Sequence, residues 1–197
     1  APAAAQASTA STDGGAITAE VIQEPVGPSY FAKKHIGQPR YEDFVLQVSP
    51  GMGKPFYDWI AQSWKMNYQR KNGGLVAMDA AMTPKSERQF MNALITETTI
   101  PAMDGTSKEP VYITVKFAPE YTRTVKPGAK PGATDGAAQK VFLPCNYKLE
   151  IDGMDCSKVN KIDAFTVKQT AVTDDIGDAR DYAKEPGKLE FPNLKFT

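Results

Sequence analysis

The sequence predicts a mainly β chain with one flanking α-helix. Two kinds of pattern carry that expectation. Residues 40–48 (RYEDFVLQV) and 110–122 (PVYITVKFAPEYT) alternate apolar and polar positions. Phe44, Leu46 and Val48 share one side of the first, and Val111, Ile113, Val115 and Phe117 one side of the second. Between them a single stretch has helical spacing instead: Phe56, Trp59, Ile60 and Trp64 fall at i, i+3, i+4 and i+8.

Taken in order, residues 1–20 (APAAAQASTASTDGGAITAE) are rich in Ala, Ser, Thr and Gly and predict a flexible arm. The first residue is Ala, as expected of an N-terminus trimmed by Met removal or signal cleavage. A first β segment is expected over 21–124. It begins with the strand at 40–48 and continues with a helix over 55–66, where Pro55 suits the first turn because its missing N–H costs nothing there. Asn72-Gly73-Gly74 reads as a turn before a short apolar strand in 70–80. The β-branched second half of residues 86–100 favours a strand, and 110–122 is the clearest one.

Pro, Gly and Ala then dominate 125–140, which predicts a linker or an exposed loop. A second β segment is expected over 141–197, either an incomplete copy of the first or the completion of a composite sheet. In it, NYKLEIDGMDC puts Tyr147, Leu149 and Ile151 on one face before a turn at Asp152-Gly153. Residues 161–172 predict a strand and 173–188 a polar loop. The last strand, 189–197, carries a proline that suits an edge or a bulge. Its Leu194 and Phe196 would be an aggregation hazard on an unpaired edge. The expected partners are therefore strands 41–48 and 110–118, or a neighbouring subunit.

Composition sets limits on function. Acidic and basic residues balance at 23 each, so no net field draws nucleic acid or an anionic membrane. No apolar run approaches the length of a membrane-spanning helix. GMGKPFYDWIAQSW (51–64) opens like a phosphate-binding loop but lacks its spacing. Val48 stands where the first Gly is required, and Pro55 follows Gly53-Lys54 where a hydroxyl is required. The stretch reads as a turn that launches a core-packing helix.

The single histidine, His35, has no second His or nearby nucleophile in its sequence neighbourhood and reads as a surface or edge residue. Asp174, Asp175, Asp178 and Asp181 lack a calcium-loop spacing and read as a solvated loop. Cys145 and Cys156 have no zinc spacing. A hairpin turning at Asp152-Gly153 sets Cys156 opposite Leu149, so no bridge between the two cysteines is expected. No catalytic, cofactor-binding or metal-ligating residue is assigned, no cofactor is expected, and the chain reads as a non-enzyme.

Residues 40–48 and 188–196 (KLEFPNLKF) share a basic residue, an apolar one, Glu, and later Leu-polar-apolar, which is consistent with an internal repeat. Longer segments carry a family resemblance. NYKLEIDGMDCSKVNKIDAFTVKQ resembles the first strand of the tail-tube proteins of contractile phage tails and related injection systems, with its F-x-V-E-I-D-G-L-like run. EPGKLEFPNLKFT is similar to their later P-G-x-x-x-[YF]-x-N-[IL] segment. FYDWI followed by RKNGGLVAMDA is similar to their Trp-containing helix and next strand, and MNALITETTIPAMDGTSKEPVYITVKFAPEYT to their closing segment. The resemblance touches most of 38–122 and 141–197 with the closing elements first, an offset or tandem order. Leu94-Ile95 stand where the family has Trp.

The resemblance implies a β-sandwich or half-barrel with one flanking helix. It also implies a structural subunit that assembles with copies of itself, as a hexameric ring stacking into a tube, or that serves as its cap or baseplate adaptor. The implied partners are sheath and baseplate proteins, without sequence-specific nucleic-acid recognition or membrane insertion. The implied setting is a virion tail or injection particle assembled in the bacterial cytoplasm. Exposed strand edges fit that logic, because closing a sheet around a ring removes them, and a screw-related head-to-tail contact builds a filament. The alternative is a secreted or adhesin-like ligand-binding β-domain, which only the Ala/Ser/Thr-rich arm supports.

Overall fold

A computed structural model describes residues 9–25, 27, 31–49, 52–81, 83–127, 143–174 and 181–197. It is mainly antiparallel β with one helix among the described residues. In chain order the elements are β1 (Thr9–Gly14), β2 (Ile17–Glu24), β3 (Lys33–Tyr41), β4 (Phe44–Val48), α1 (Lys54–Trp64), β5 (Lys71–Met78), β6 (Pro84–Ile100), β7 (Met103–Asp104), β8 (Ile113–Ala118), β9 (Tyr121–Val125), β10 (Lys161–Ile162), β11 (Phe165–Asp174) and β12 (Ala183–Glu190). The main sheet runs β1-β4-β8-β6-β11-β12, with β5 and β9 also pairing with β6.

Strand β6 organises the molecule. Its 17 residues serve four pairings, two along each half. The first half lies between β5 and β9, and the second between β8 and β11. Between the halves Asn92 takes a left-handed φ of 51°. Its N–H donates to Asn72 Oδ1 at 2.7 Å and its amide nitrogen to Glu120 Oε2 at 2.6 Å, which hold the bend. The bend carries Phe90 over the apolar face, where its ring meets Phe117 at 4.8 Å and Phe44 at 5.5 Å between centroids.

The alternation at 40–48 and 110–122 yields the core. Phe44, Leu46 and Val48 of β4 and Ile113, Val115 and Phe117 of β8 are all buried. Helix α1 covers the same face with Trp59 and Ile60. Trp59 packs on Phe117 at 5.8 Å, and its indole N–H donates to the Gln69 carbonyl at 2.8 Å. The helix spans 54–64 rather than 55–66: Lys65 caps it and Met66 follows in the left-handed region.

Four expectations are corrected. The segment 9–20, expected within a flexible arm, forms β1 against β4 and the start of β2; residues 1–8 lie outside the described residues. Asn72-Gly73-Gly74 is strand, not turn. The Phe90 ring occupies the space a side chain at 73 would need, 2.5 Å from an added Cβ, so glycine there records close packing. Ala183–Glu190, read as polar loop, is a strand because β11 supplies its ladder. The C-terminal segment pairs with neither 41–48 nor 110–118. Phe196 bridges Ile162, and Thr197 N–H donates to the Lys161 carbonyl at 2.9 Å.

The turn at Asp152-Gly153 forms, with Ile151 bridging Met154, but no strands extend from it. Most of 125–140 lies outside the described residues.

Candidate assembly surfaces

Strands β1 and β4 do not stop at the sheet. The same two segments continue outward as β2 and β3, paired from Ile17↔Tyr41 to Glu24↔Lys33, in a two-stranded sheet of their own. Gly14 and Gly15, with φ of 84° and 73°, form the joint on one side. The Gly15 N–H donates to the Asp43 carbonyl at 3.3 Å, and the Glu42 N–H to the Ala16 carbonyl at 3.0 Å. Gly15 leaves room for Phe44, whose ring lies 2.4 Å from where a Cβ would stand.

The distal ribbon is exposed nearly throughout. Its apolar side chains are nevertheless large and β-branched. Val21 and Ile36 are directly opposed, and Ile36 is 82% exposed. The pair faces water in the isolated chain. Charged groups flank it: Glu24 sits opposite Lys33, and His35 Nε2 lies 3.5 Å from a Glu24 carboxylate oxygen.

A second surface is the outer face of the main sheet. Register places Lys116, Glu97, Lys168 and Glu190 in one row across β8, β6, β11 and β12. The neighbouring row runs Gln47, Thr114, Thr99, Thr166, with the Thr99 and Thr166 hydroxyls 2.9 Å apart. The face is polar and its charges alternate in sign, which favours cross-strand pairing and leaves no strong single-sign field.

Where β12 approaches the ribbon's root, a charge cluster forms. Lys184, 14% exposed, lies 3.8 Å from Asp43, which also faces Lys116 at 3.6 Å. Arg70 pairs with Glu185 at 2.8 Å and faces Glu120 at 3.5 Å. Burial pulls the Lys184 ammonium below the usual lysine range, opposed by the charges of Asp43 and Glu120.

The residues singled out from sequence fall as follows. His35 is exposed on β3. Gly53 is the N-cap of α1, and Lys54 pairs with Asp58 at 2.8 Å. Asp181 accepts a hydrogen bond from the Tyr41 hydroxyl at 2.7 Å, Asp174 ends β11, and Asp175 and Asp178 lie outside the described residues. Cys145 and Cys156 are free thiols. Among the described residues no group of His, Cys, Asp or Glu is arranged to hold a metal ion. Sequence reasoning missed the ribbon. Its signal was ITAEVIQE, whose β-branched residues follow an Ala/Ser/Thr-rich stretch.

No known sequence family and no curated protein matches the chain. Solved structures do. A chain of the tube-terminating cap of the anti-feeding prophage matches with a TM-score of 0.51 at 21% identity, over 61% of this chain and 81% of that one. A chain of the sheath–tube complex of an extracellular contractile injection system, PVC, in its extended state gives 0.52 at 19%, over 61% and 82%. A chain of the PVC sheath/tube terminator gives 0.51 at 22%, over 60% and 85%. This chain shares their fold. At these identities the likeness concerns the backbone, and the side chains on the ribbon and the polar face are this chain's own.

Proposed function

We propose that the chain is a structural subunit of a contractile injection particle. In this reading it assembles with copies of itself into a ring, as tube, tube cap or baseplate adaptor, and does no bond chemistry. The observation that carries the reading is the projecting β2–β3 ribbon, whose apolar pair Val21 and Ile36 faces water in the isolated chain, on a fold shared with chains of such particles. The ribbon docks on a neighbouring copy, and the open edges at β1 and β12 lie at the ring contacts. A sixfold ring is the expected closure. The polar face lines the channel, where alternating Lys and Glu let a hydrated cargo pass without a strong attractive field. The particle forms in the bacterial cytoplasm, and its partners are sheath and baseplate proteins.

Negative-stain imaging and light scattering on the purified full chain test this. Rings, or rings stacked into tubes, are the expected result. A monomer at all accessible concentrations, with saturable binding of a small ligand, overturns the reading in favour of a ligand-binding β-domain.

A further inference from the structure

The ribbon leaves the sheet at a joint that is held from outside the ribbon. Three contacts converge there, each from a different part of the chain. The Arg88 guanidinium on β6 donates to the Gly15 carbonyl at 2.7 Å. The Tyr41 hydroxyl, at the end of β3, donates to Asp181 just ahead of β12 at 2.7 Å. Lys184 on β12 faces Asp43, in the link between β3 and β4, at 3.8 Å.

Gly14 and Gly15 supply two successive left-handed residues on one side of the joint. Beside the root lie two clefts of about 310 and 390 Å³. The larger is lined by Pro39, Arg40 and Tyr41 from the ribbon and by Thr173, Tyr182 and Lys184 from the β11–β12 hairpin. Among the described residues no ladder hydrogen bonds join the ribbon to that hairpin. The ribbon thus meets the sheet through a glycine joint, with a cleft beside it and three polar pins across it.

We infer that Arg88, Asp181 and Lys184 are positioning residues that fix the direction in which the ribbon projects, so that the β11–β12 hairpin sets the angle of an arm it does not pair with. Tyr41 and Asp43 are the ribbon-side halves of two of these pins. The inference deepens the assembly reading in one respect: an arm held at one angle is already organised to meet a neighbour, and immobilising it beforehand removes part of the entropic cost of docking. The pins themselves do not depend on that reading.

The test measures the angle directly. In a Cys145→Ser, Cys156→Ser background, spin labels at Gln23→Cys on the ribbon and Lys168→Cys on the main sheet report one distance, with labelled protein diluted into unlabelled protein so that each measured pair lies within one chain. The intact joint gives a narrow distribution. Tyr41→Phe, which removes the donor of the Tyr41–Asp181 hydrogen bond, and Asp181→Ala, which removes its acceptor, should broaden it, and combining either with Lys184→Gln should broaden it further. The melting temperature of Tyr41→Phe should stay that of the parent, which a general loosening of the fold would lower. A distribution that stays narrow in all these variants overturns the inference, as does one already broad in the parent. Imaging the parent and the pin variants without the label sites separates the two claims. If the parent forms no rings, the assembly reading fails while the distance result stands. If the parent forms rings and the pin variants form fewer, both hold.

Discussion

The root and the tip of one β-ribbon obey different rules. In β4, Phe44, Leu46 and Val48 are buried against β8 and α1. In β2, a few residues along the same ribbon, every side chain is exposed. Both halves have a partner strand and a satisfied ladder, so hydrogen bonding does not distinguish them. What differs is the third dimension, a second layer for β4 and water for β2. Isolated two-stranded ribbons are marginal in water, so the distal half depends on its root and, in the proposed assembly, on a neighbour.

The largest expected effect lies at the root. Trp59→Ala removes the ring that seals Phe117 and should destabilise the fold by about 3–5 kcal/mol, read as a loss in urea midpoint. A change within the error of surface substitutions would mean that the helix does not seal the core. Next comes the joint. Gly15→Ala must place a methyl against the Phe44 ring at a positive φ, and should cost about 1–3 kcal/mol. An unchanged melting curve would show that the joint relaxes freely.

The tip should behave in the opposite way. Ile36→Ser is expected to move stability by no more than about 0.5 kcal/mol, while ring formation in electron micrographs is lost. Loss of folding in that variant would make the ribbon part of the core and erase the contrast.

The smallest effect concerns Lys184, and its sign follows from burial. Its folded-state pKa lies below the usual lysine value of 10.5, so between the two the unfolded chain binds more protons than the native one. Stability contributed by this group therefore rises with pH through that window and is lost as pH falls below it. Lys184→Met should flatten the alkaline rise in urea midpoint relative to the parent. Equal slopes in the two proteins would show that the ammonium is not desolvated.

Much of the root was legible in the sequence. Phe44, Leu46, Val48, Ile113, Val115 and Phe117 announced themselves by period-two spacing, and Trp59 and Ile60 by helical spacing, because each segment has one covered face. The resemblance to tail-tube proteins rested in part on such segments, and the matched solved structures share the fold. Less legible were the strands made by their neighbours. Ala183–Glu190 contains Pro186 and Gly187, and its ladder with β11 shifts register between Gln169 and Ala171. Gly73 sits in a strand because Phe90 needs its space. The candidate docking ribbon was hidden for the same reason: Thr9–Gly14 is strand because β4 offers an edge, and Val21 and Ile36 find each other only across a hairpin. The pins at the joint, Arg88 to Gly15 and Tyr41 to Asp181, join residues far apart in the chain and leave no local trace.

The length of β6 has a consequence for how the chain comes to be folded at all. Its second half lies between β8 and β11, and Ile100 meets Phe165 with the whole segment 101–164 in between. During synthesis β6 and β8 are complete well before β11 is made, so one edge of β6 waits for a partner. Long-range pairing of this kind slows folding, and a waiting edge invites strands from other nascent chains. Glu97, which meets Lys168 once β11 is in place, interrupts that edge with charge. Stacking like charges is costly in a mispaired edge, so this side chain is placed to disfavour mispairing during the interval before β11 arrives.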